Sequence, residues 1–171
     1  MPVNIEIKAR LTDFEALRRR AEALSDVPVQ VIPQVDTFFR TGQGRLKLRE
    51  LGSGAAQLVY YERPDHDGPK HSDYRILETN DPESLKDILR LALGIRGVVR
   101  KTRYLYLVGQ TRVHLDDVEG LGQFMELEVM LRPDQSDEDG QAIARELMTK
   151  LGVNDSDLLE GAYMDLMESR E

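Results

Sequence analysis

Hydrophobic and polar residues alternate with a period of two along most of this chain, the pattern of strands with one apolar and one polar face. Eight stretches carry it by period or by β-branched content: Val3–Arg10, Val31–Arg40, Arg45–Leu51, Gln57–Arg63, Tyr74–Thr79, Val98–Val108, Thr111–Val118 and Gln123–Leu131. Gly42 with Gly44, Gly52 with Gly54, Pro64 to Pro69, Gly109-Gln110 and Gly120 with Gly122 punctuate them. Such short turns predict an antiparallel meander. The period changes to that of a helix in four places. Thr12-Asp13-Phe14-Glu15 reads as a capping box ahead of Leu17, Ala21 and Leu24. Pro82–Leu93 has Pro near its start, an apolar stripe of Leu85, Ile88, Leu89 and Ala92, and Gly94 just past its end. Ser136–Leu151, stopped by Gly152, and Ser156–Glu168 complete the set as a C-terminal helical pair.

The identity of the polar residues changes the picture. In Asn4-Ile5-Glu6-Ile7-Lys8 one face is apolar and the other polar and mostly charged. The same holds in Arg45-Leu46-Lys47-Leu48-Arg49, Arg112-Val113-His114-Leu115-Asp116 and Glu126-Leu127-Glu128-Val129. For any one strand, an open sheet with a wet face accounts for this. If the strands close on themselves, the helices must cover the outside and the charged faces must line the inside. Charges crowded into such a lumen are costly unless paired, metal-bound or neutralised by a ligand, so their accumulation marks a site. Closed in this way, the fold would be α+β: a closed eight-stranded antiparallel barrel, or tunnel, with helices packed outside, in one domain over residues 1–171.

Composition excludes several alternatives. The chain has 171 residues, 40% hydrophobic and 32% charged, with no cysteine and a formal charge of −8. No disulfide scaffold, thiolate zinc site or cysteine nucleophile can form. A negative chain is no general nucleic-acid binder, because phosphate attraction needs a surplus of Lys and Arg. No window approaches the roughly 20 apolar residues of a membrane span, and no secretion signal is visible. The expectation is a cytoplasmic protein with neither nucleic-acid nor membrane partners.

Sorting the lumen candidates by sign gives two chemistries. Lys8, Arg45, Lys47, Arg49, Arg63, Arg75, Lys101, Arg103 and Arg112 are cationic donors suited to a polyphosphate. Glu6, Asp116, Glu126 and Glu128 are hard oxygen donors suited to Mg2+ or Mn2+. Glu126 and Glu128, at i and i+2, leave the same strand face and can share one ion.

In this order and spacing, the motifs resemble the CYTH family, the triphosphate tunnel metalloenzymes, over nearly the whole chain. Asn4-Ile5-Glu6-Ile7-Lys8 stands where that family opens with Glu-x-Glu-x-Lys. Leu46-Lys47-Leu48-Arg49 resembles its basic strand, Val99 to Arg103 its second basic segment, and His114 to Gly122 its Asp-bearing strand and turn. Phe124-Met125-Glu126-Leu127-Glu128 matches its paired glutamates. The resemblance implies that Glu6, Glu126 and Glu128 hold Mg2+ or Mn2+, with Asp116 as a further ligand or as the orienter of water. It implies that Lys8, Lys47, Arg49 and Arg103 grip phosphates, and that Lys8, Asp116 and Arg103 act at the reacting centre. Arg63, Arg75 and Lys101 are carried as further phosphate contacts. The implied substrate is ATP, thiamine triphosphate or inorganic triphosphate, and homodimeric relatives make a homodimer one expectation. The implied activity is metal-dependent hydrolysis, with class IV adenylyl cyclase activity or non-catalytic nucleotide binding as alternatives. Asn4 departs from the family pattern, because an amide oxygen can ligate a hard cation without offsetting its charge. One ion in place of two, another partner at this position, or binding without turnover are all compatible with it.

Other conspicuous residues have ordinary readings. His114 is expected as a lumen histidine hydrogen-bonded to a carboxylate, and His66 and His71 as solvated loop residues. Leu85 to Leu93 is expected to pack into the core. Tyr60, Tyr61, Tyr104 and Tyr106 are expected to be buried outward beneath helices.

Overall fold

A computed structural model describes residues 3–62 and 68–168. Its strands are β1 (Val3–Arg10), β2 (Gln30–Phe39), β3 (Arg45–Leu51), β4 (Ala56–Glu62), β5 (Lys70–Thr79), β6 (Ile95–Val108), β7 (Thr111–Val118), β8 (Gly122–Met130) and the two-residue β9 (Leu158–Leu159). The helices are α1 (Phe14–Leu24), α2 (Pro82–Leu93), α3 (Asp137–Leu151) and α4 (Tyr163–Glu168). Eight strands run antiparallel in the order β5-β4-β3-β2-β6-β7-β8-β1, and pairing of β1 with β5 closes the barrel. β5 covers residues Val3 to Glu6 of β1, while β9 pairs with Lys8 and Ala9 further along. The wall of the barrel is therefore completed at one end by a C-terminal segment.

Closure sends the apolar faces outward. Ile5, Ile7, Val113, Leu115, Met125, Leu127 and Val129 meet Leu17 and Ala21 of α1 and Ala144, Leu147, Met148 and Leu151 of α3 in the main core. Each such aliphatic side chain, fully buried, contributes about 1.5–3 kcal/mol. A smaller cluster under α2 joins Leu85 and Leu89 to Phe39, Leu48 and Ala56. A third cluster, Phe38, Val99, Val118, Phe124, Tyr163 and Met164, fills one end of the barrel beneath α4.

Four expectations need correction. α1 is capped by Asp13, whose side chain accepts from the Ala16 amide, so the cap lies one residue after Thr12. The segment expected as one helix over Ser156–Glu168 breaks into a 3-10 turn at Asp155–Asp157, strand β9 and α4. Gly161 has φ of +82°, a left-handed conformation that a helix cannot contain. Leu158 and Leu159 are more useful as the missing piece of barrel wall. Third, of the stretch Leu85 to Leu93 expected in the core, Leu85 and Leu89 are buried only in part, and Ile88, Leu91 and Leu93 are exposed. Fourth, the tyrosines divide: Tyr104 packs edge-on against Phe14, Tyr106 is fully buried in the outer core, and Tyr61 faces the lumen.

Candidate functional site

Strand register arranges the lumen. Across β1 and β8, Asn4 faces Met130, Glu6 faces Glu128, and Lys8 faces Glu126. Across β7 and β8, Arg112 faces Glu128, His114 faces Glu126, and Asp116 faces Phe124. Arg103 of β6 lies opposite Asp116, and Asp36 of β2 lies opposite Arg49 of β3. The inward residues of all eight strands enclose a cavity of about 310 Å3.

The cavity has two halves. Towards the end beneath α4 and in the middle it is bordered by Lys8, Lys47, Arg49, Lys101, Arg103, Glu6, Glu126, Asp36 and Tyr163. Towards the opposite end, the mouth, Ile32, Leu51, Tyr74, Ile76 and Met130 replace most of the charge, with Arg112 at the edge. An anion entering from the mouth thus meets cations at depth and leaves any organic group against apolar walls.

Two buried carboxylates organise the cations. Asp36 accepts from Arg49 Nε and Nη2, both at 2.8 Å, while Lys101 Nζ lies 3.3 Å and Lys47 Nζ 3.8 Å from Asp36 Oδ2. Burial pushes the Asp36 carboxyl up, but Arg49, Lys101 and Lys47 together hold it well below the ordinary carboxylate range. Asp116 accepts from Arg103 Nε and Nη2 at 2.8 and 2.7 Å, and its Oδ2 also accepts from the Tyr163 hydroxyl at 2.8 Å. Burial and the charge of Asp116 raise the Tyr163 phenol well above 10, so it remains a donor.

The glutamates are held by lumen cations. Glu126 lies 3.5 Å from Lys8 and 3.7 Å from Arg103. Glu128 lies 4.0 Å from Arg112 and accepts from Asn4 Nδ2 at 3.1 Å. Burial raises the Glu126 carboxyl, and Lys8, His114 and Arg103 more than compensate, leaving it well below its usual range. His114 is fully buried behind the pair, with Nε2 3.0 Å from Glu128 Oε1, but neither ring nitrogen makes an aligned hydrogen bond. Burial and Arg103 lower its pKa.

The residues named from sequence fall into three groups. Glu6, Lys8, Lys47, Arg49, Lys101, Arg103, Arg112, Glu126 and Glu128 border the cavity. Asp116, Arg45 and Arg75 do not. Asp116 spends its oxygens on Arg103 and Tyr163, a different placement from that of a metal ligand. Arg45 reaches instead to Asp165 of α4, and the exposed Arg75 donates to the Tyr74 carbonyl. The position of Arg63 lies outside the described residues, as does that of His66. His71 departs from its loop reading: it lies in β5, with Nε2 3.1 Å from Asp73 and Nδ1 2.9 Å from Asp137 of α3.

Sequence reasoning missed Asp36, Tyr163, Gln34 and Ser72, all bordering the cavity. The signal for Asp36 was an acid in the middle of a strand, where Asp is depleted. Tyr163 gave no signal, because it sits in an apolar helical stripe. Its ring lies 4.1 Å from Lys8 Nζ, which also donates to the Gly161 carbonyl at 2.9 Å.

The donor chemistry fits a hard divalent ion. Glu6, Glu126 and Glu128 supply carboxylates, and the buried Asn4 Oδ1 beside them has no hydrogen-bond partner. Among the described residues, no three carboxylate or imidazole groups already converge on one point. Cations stand beside Glu126 and Glu128, and a ligand that drew those cations away would free the two carboxylates.

Comparison with known proteins agrees with this geometry. The CYTH domain family model matches residues 3–163. Adenylate cyclase CyaB of Aeromonas hydrophila is 28% identical, over 96% of this chain and 88% of its own length. The PH1012 protein of Pyrococcus horikoshii OT3 superposes with a TM-score of 0.84 at 27% identity, over 95% of this chain and 98% of that one. HpAC1 of Hippeastrum, an adenylyl cyclase candidate described by its dominant triphosphatase activity, shares the fold with a TM-score of 0.69 at 19% identity, over 98% of this chain and 96% of that one. No described helix is long and apolar enough to cross a membrane.

Proposed function

This chain belongs to the CYTH domain family, and from that premise we propose that it hydrolyses an organic triphosphate in the barrel lumen with the help of Mg2+ or Mn2+. The carrying observation is the deep cation array: Arg49, Lys101 and Lys47 around Asp36, with Arg103 and Lys8 beside it, across from Glu126 and Glu128. Those cations would neutralise the equatorial phosphate oxygens as charge moves onto the leaving group. Glu6, Glu126 and Glu128 would hold the divalent ion, with Asn4 Oδ1 as a neutral neighbour. When bound, such an ion supplies Lewis-acid polarisation of the phosphates. Water attacks the terminal phosphorus, the bridging P–O bond breaks, and the diphosphate ester and phosphate leave. Most of the rate enhancement is electrostatic, from donors already fixed in place.

The apolar mouth favours one second reading, cyclisation of ATP to cyclic AMP and pyrophosphate. Ile32, Leu51, Tyr74, Ile76 and Met130 offer walls for a base, and CyaB carries that name. Incubating the protein with ATP, thiamine triphosphate or inorganic triphosphate under Mg2+ or Mn2+, with chromatography of the products, separates the readings. Phosphate release from ATP or thiamine triphosphate supports hydrolysis. Cyclic AMP from ATP establishes the second reading in its place, and faster turnover of inorganic triphosphate removes the organic group from the proposal. Tight binding without turnover of any of the three leaves a binding module.

A further inference from the structure

An anion-binding lumen gains nothing from a negative charge unless that charge arranges something else. Asp36 is 1% exposed and borders the cavity, so it stands where it repels a phosphate. Its strand lies between β3 and β6, the two strands that carry Lys47, Arg49 and Lys101. All three cations turn towards its carboxylate. The pairing with Arg49 is side-on: Nε and Nη2 are used, and the Nη1 amino group is left outside the pair. Without Asp36, three like charges on the two strands that flank β2 would repel one another, and the two flexible lysines would lose the point that fixes their ammonium groups.

We propose that Asp36 is a positioning residue that gathers Arg49, Lys101 and Lys47 into one receptor for a phosphoryl group. The inference rests on the reading of the lumen as a triphosphate site. Its benefit to the ligand is organisation of the cations in advance, which exceeds the repulsion it exerts.

The test is calorimetric titration with inorganic triphosphate in EDTA, where metal-dependent turnover cannot interfere. Asp36→Asn removes a negative charge from an anion site, so simple electrostatics predicts tighter binding. The positioning role predicts weaker binding, about 10- to 100-fold, the range found when partners that orient ligating groups are removed. Asp36→Glu restores the charge one methylene out of place, and is expected to recover part of the loss with a melting temperature near that of the native protein. Affinity that is equal or tighter in Asp36→Asn, corrected for the folded fraction by circular dichroism, overturns the role. If Asp36→Asn does not fold, Asp36→Glu carries the test alone: binding several-fold weaker supports the role, and unchanged binding overturns it. A native protein that does not bind inorganic triphosphate at all brings down the lumen reading itself, an outcome distinct from any difference among the variants.

Discussion

Replacing Asp116 by Asn keeps the side chain's shape and removes its charge, which separates an anchor for Arg103 from a ligand for metal. Burial alone would raise the Asp116 carboxyl, but Arg103 and Lys101 bring it down from 3.8 to about 2. At 1.36 kcal/mol per pKa unit, that difference is about 2 kcal/mol of folding free energy. The variant also takes from the buried Arg103 guanidinium its bidentate partner and leaves only Glu126, 3.7 Å away, and breaking a buried pair costs up to about 3–5 kcal/mol. The expected loss at pH 7 is therefore about 2–5 kcal/mol, seen as a melting temperature lower by about 5 °C or more for a chain of this length. A carboxyl with a lowered folded-state pKa contributes its stability above 3.8 and loses it as pH falls towards 2. The gap between native and variant should accordingly narrow by about 1 kcal/mol between pH 7 and pH 3. Urea unfolding of both proteins at the two pH values, in EDTA and again in Mn2+, measures every term. A loss under about 1 kcal/mol at pH 7, or one that appears only with Mn2+, would refute the reasoning and return Asp116 to the metal set.

Three further outcomes follow from the geometry. Burial and then Arg49 push the Lys47 ammonium well below 10.5 against the opposing pull of Asp36; affinity for inorganic triphosphate should fall as pH rises through that lowered value, and Lys47→Arg should keep its affinity further into alkali, so matching alkaline limbs in calorimetry at pH 7–10 would contradict this. His71 sits between Asp73 and Asp137, whose hydrogen bonds outweigh burial and raise its pKa above 6.5. Its half-exposed clasp contributes stability below pH 6.5 that disappears as pH rises through the raised value, so His71→Asn should lose about 0.5 kcal/mol at pH 6 and nothing at pH 9 in urea unfolding. A Cβ at Gly140 of α3 would lie 2.5 Å from Ile5 Cγ1 and 2.7 Å from Leu131 Cδ2. Helix propensity favours Gly140→Ala by about 1 kcal/mol while overpacking costs about 1–3 kcal/mol, so net destabilisation of about 1 kcal/mol is expected, and a higher melting temperature would reverse that balance.

The charged strand faces made the lumen legible before any coordinates. Glu6, Lys8, Lys47, Arg49, Glu126 and Glu128 alternate with aliphatic residues, a pattern that an open sheet with one wet face would also carry, and closure of the sheet turns that charged face into a lumen. What local pattern could not carry was the pairing of charges across strands. Asp116 shares its motif with His114 and looks like a ligand, yet register sets Arg103 directly opposite it. Asp36 stands alone among Val35 and Thr37, and its partners are set by pairing on both sides of β2: Arg49 and Lys47 from β3, and Lys101 from β6, 65 residues away. Arg75 and Arg45 failed for different reasons: Arg75 points outward by strand parity, and Arg45 sits at a strand end where Asp165 of α4 reaches it. The apolar stripe of the C-terminal stretch was visible, but Gly161 divides it and frees Leu158 and Leu159 to pair with β1.

The seam between β1 and its neighbours has a kinetic meaning. β1 precedes all of its ladder partners in the chain, with β8 on one side and β5 followed by β9 on the other. Until roughly 150 further residues have emerged, this strand has no complete company, and its aliphatic face has no α3 to rest on. Such distant pairing places the protein among slow folders, with closure on the scale of milliseconds to seconds. The cylinder is therefore sealed only when Leu158 and Leu159 come back to Lys8 and Ala9, across nearly the whole barrel sequence.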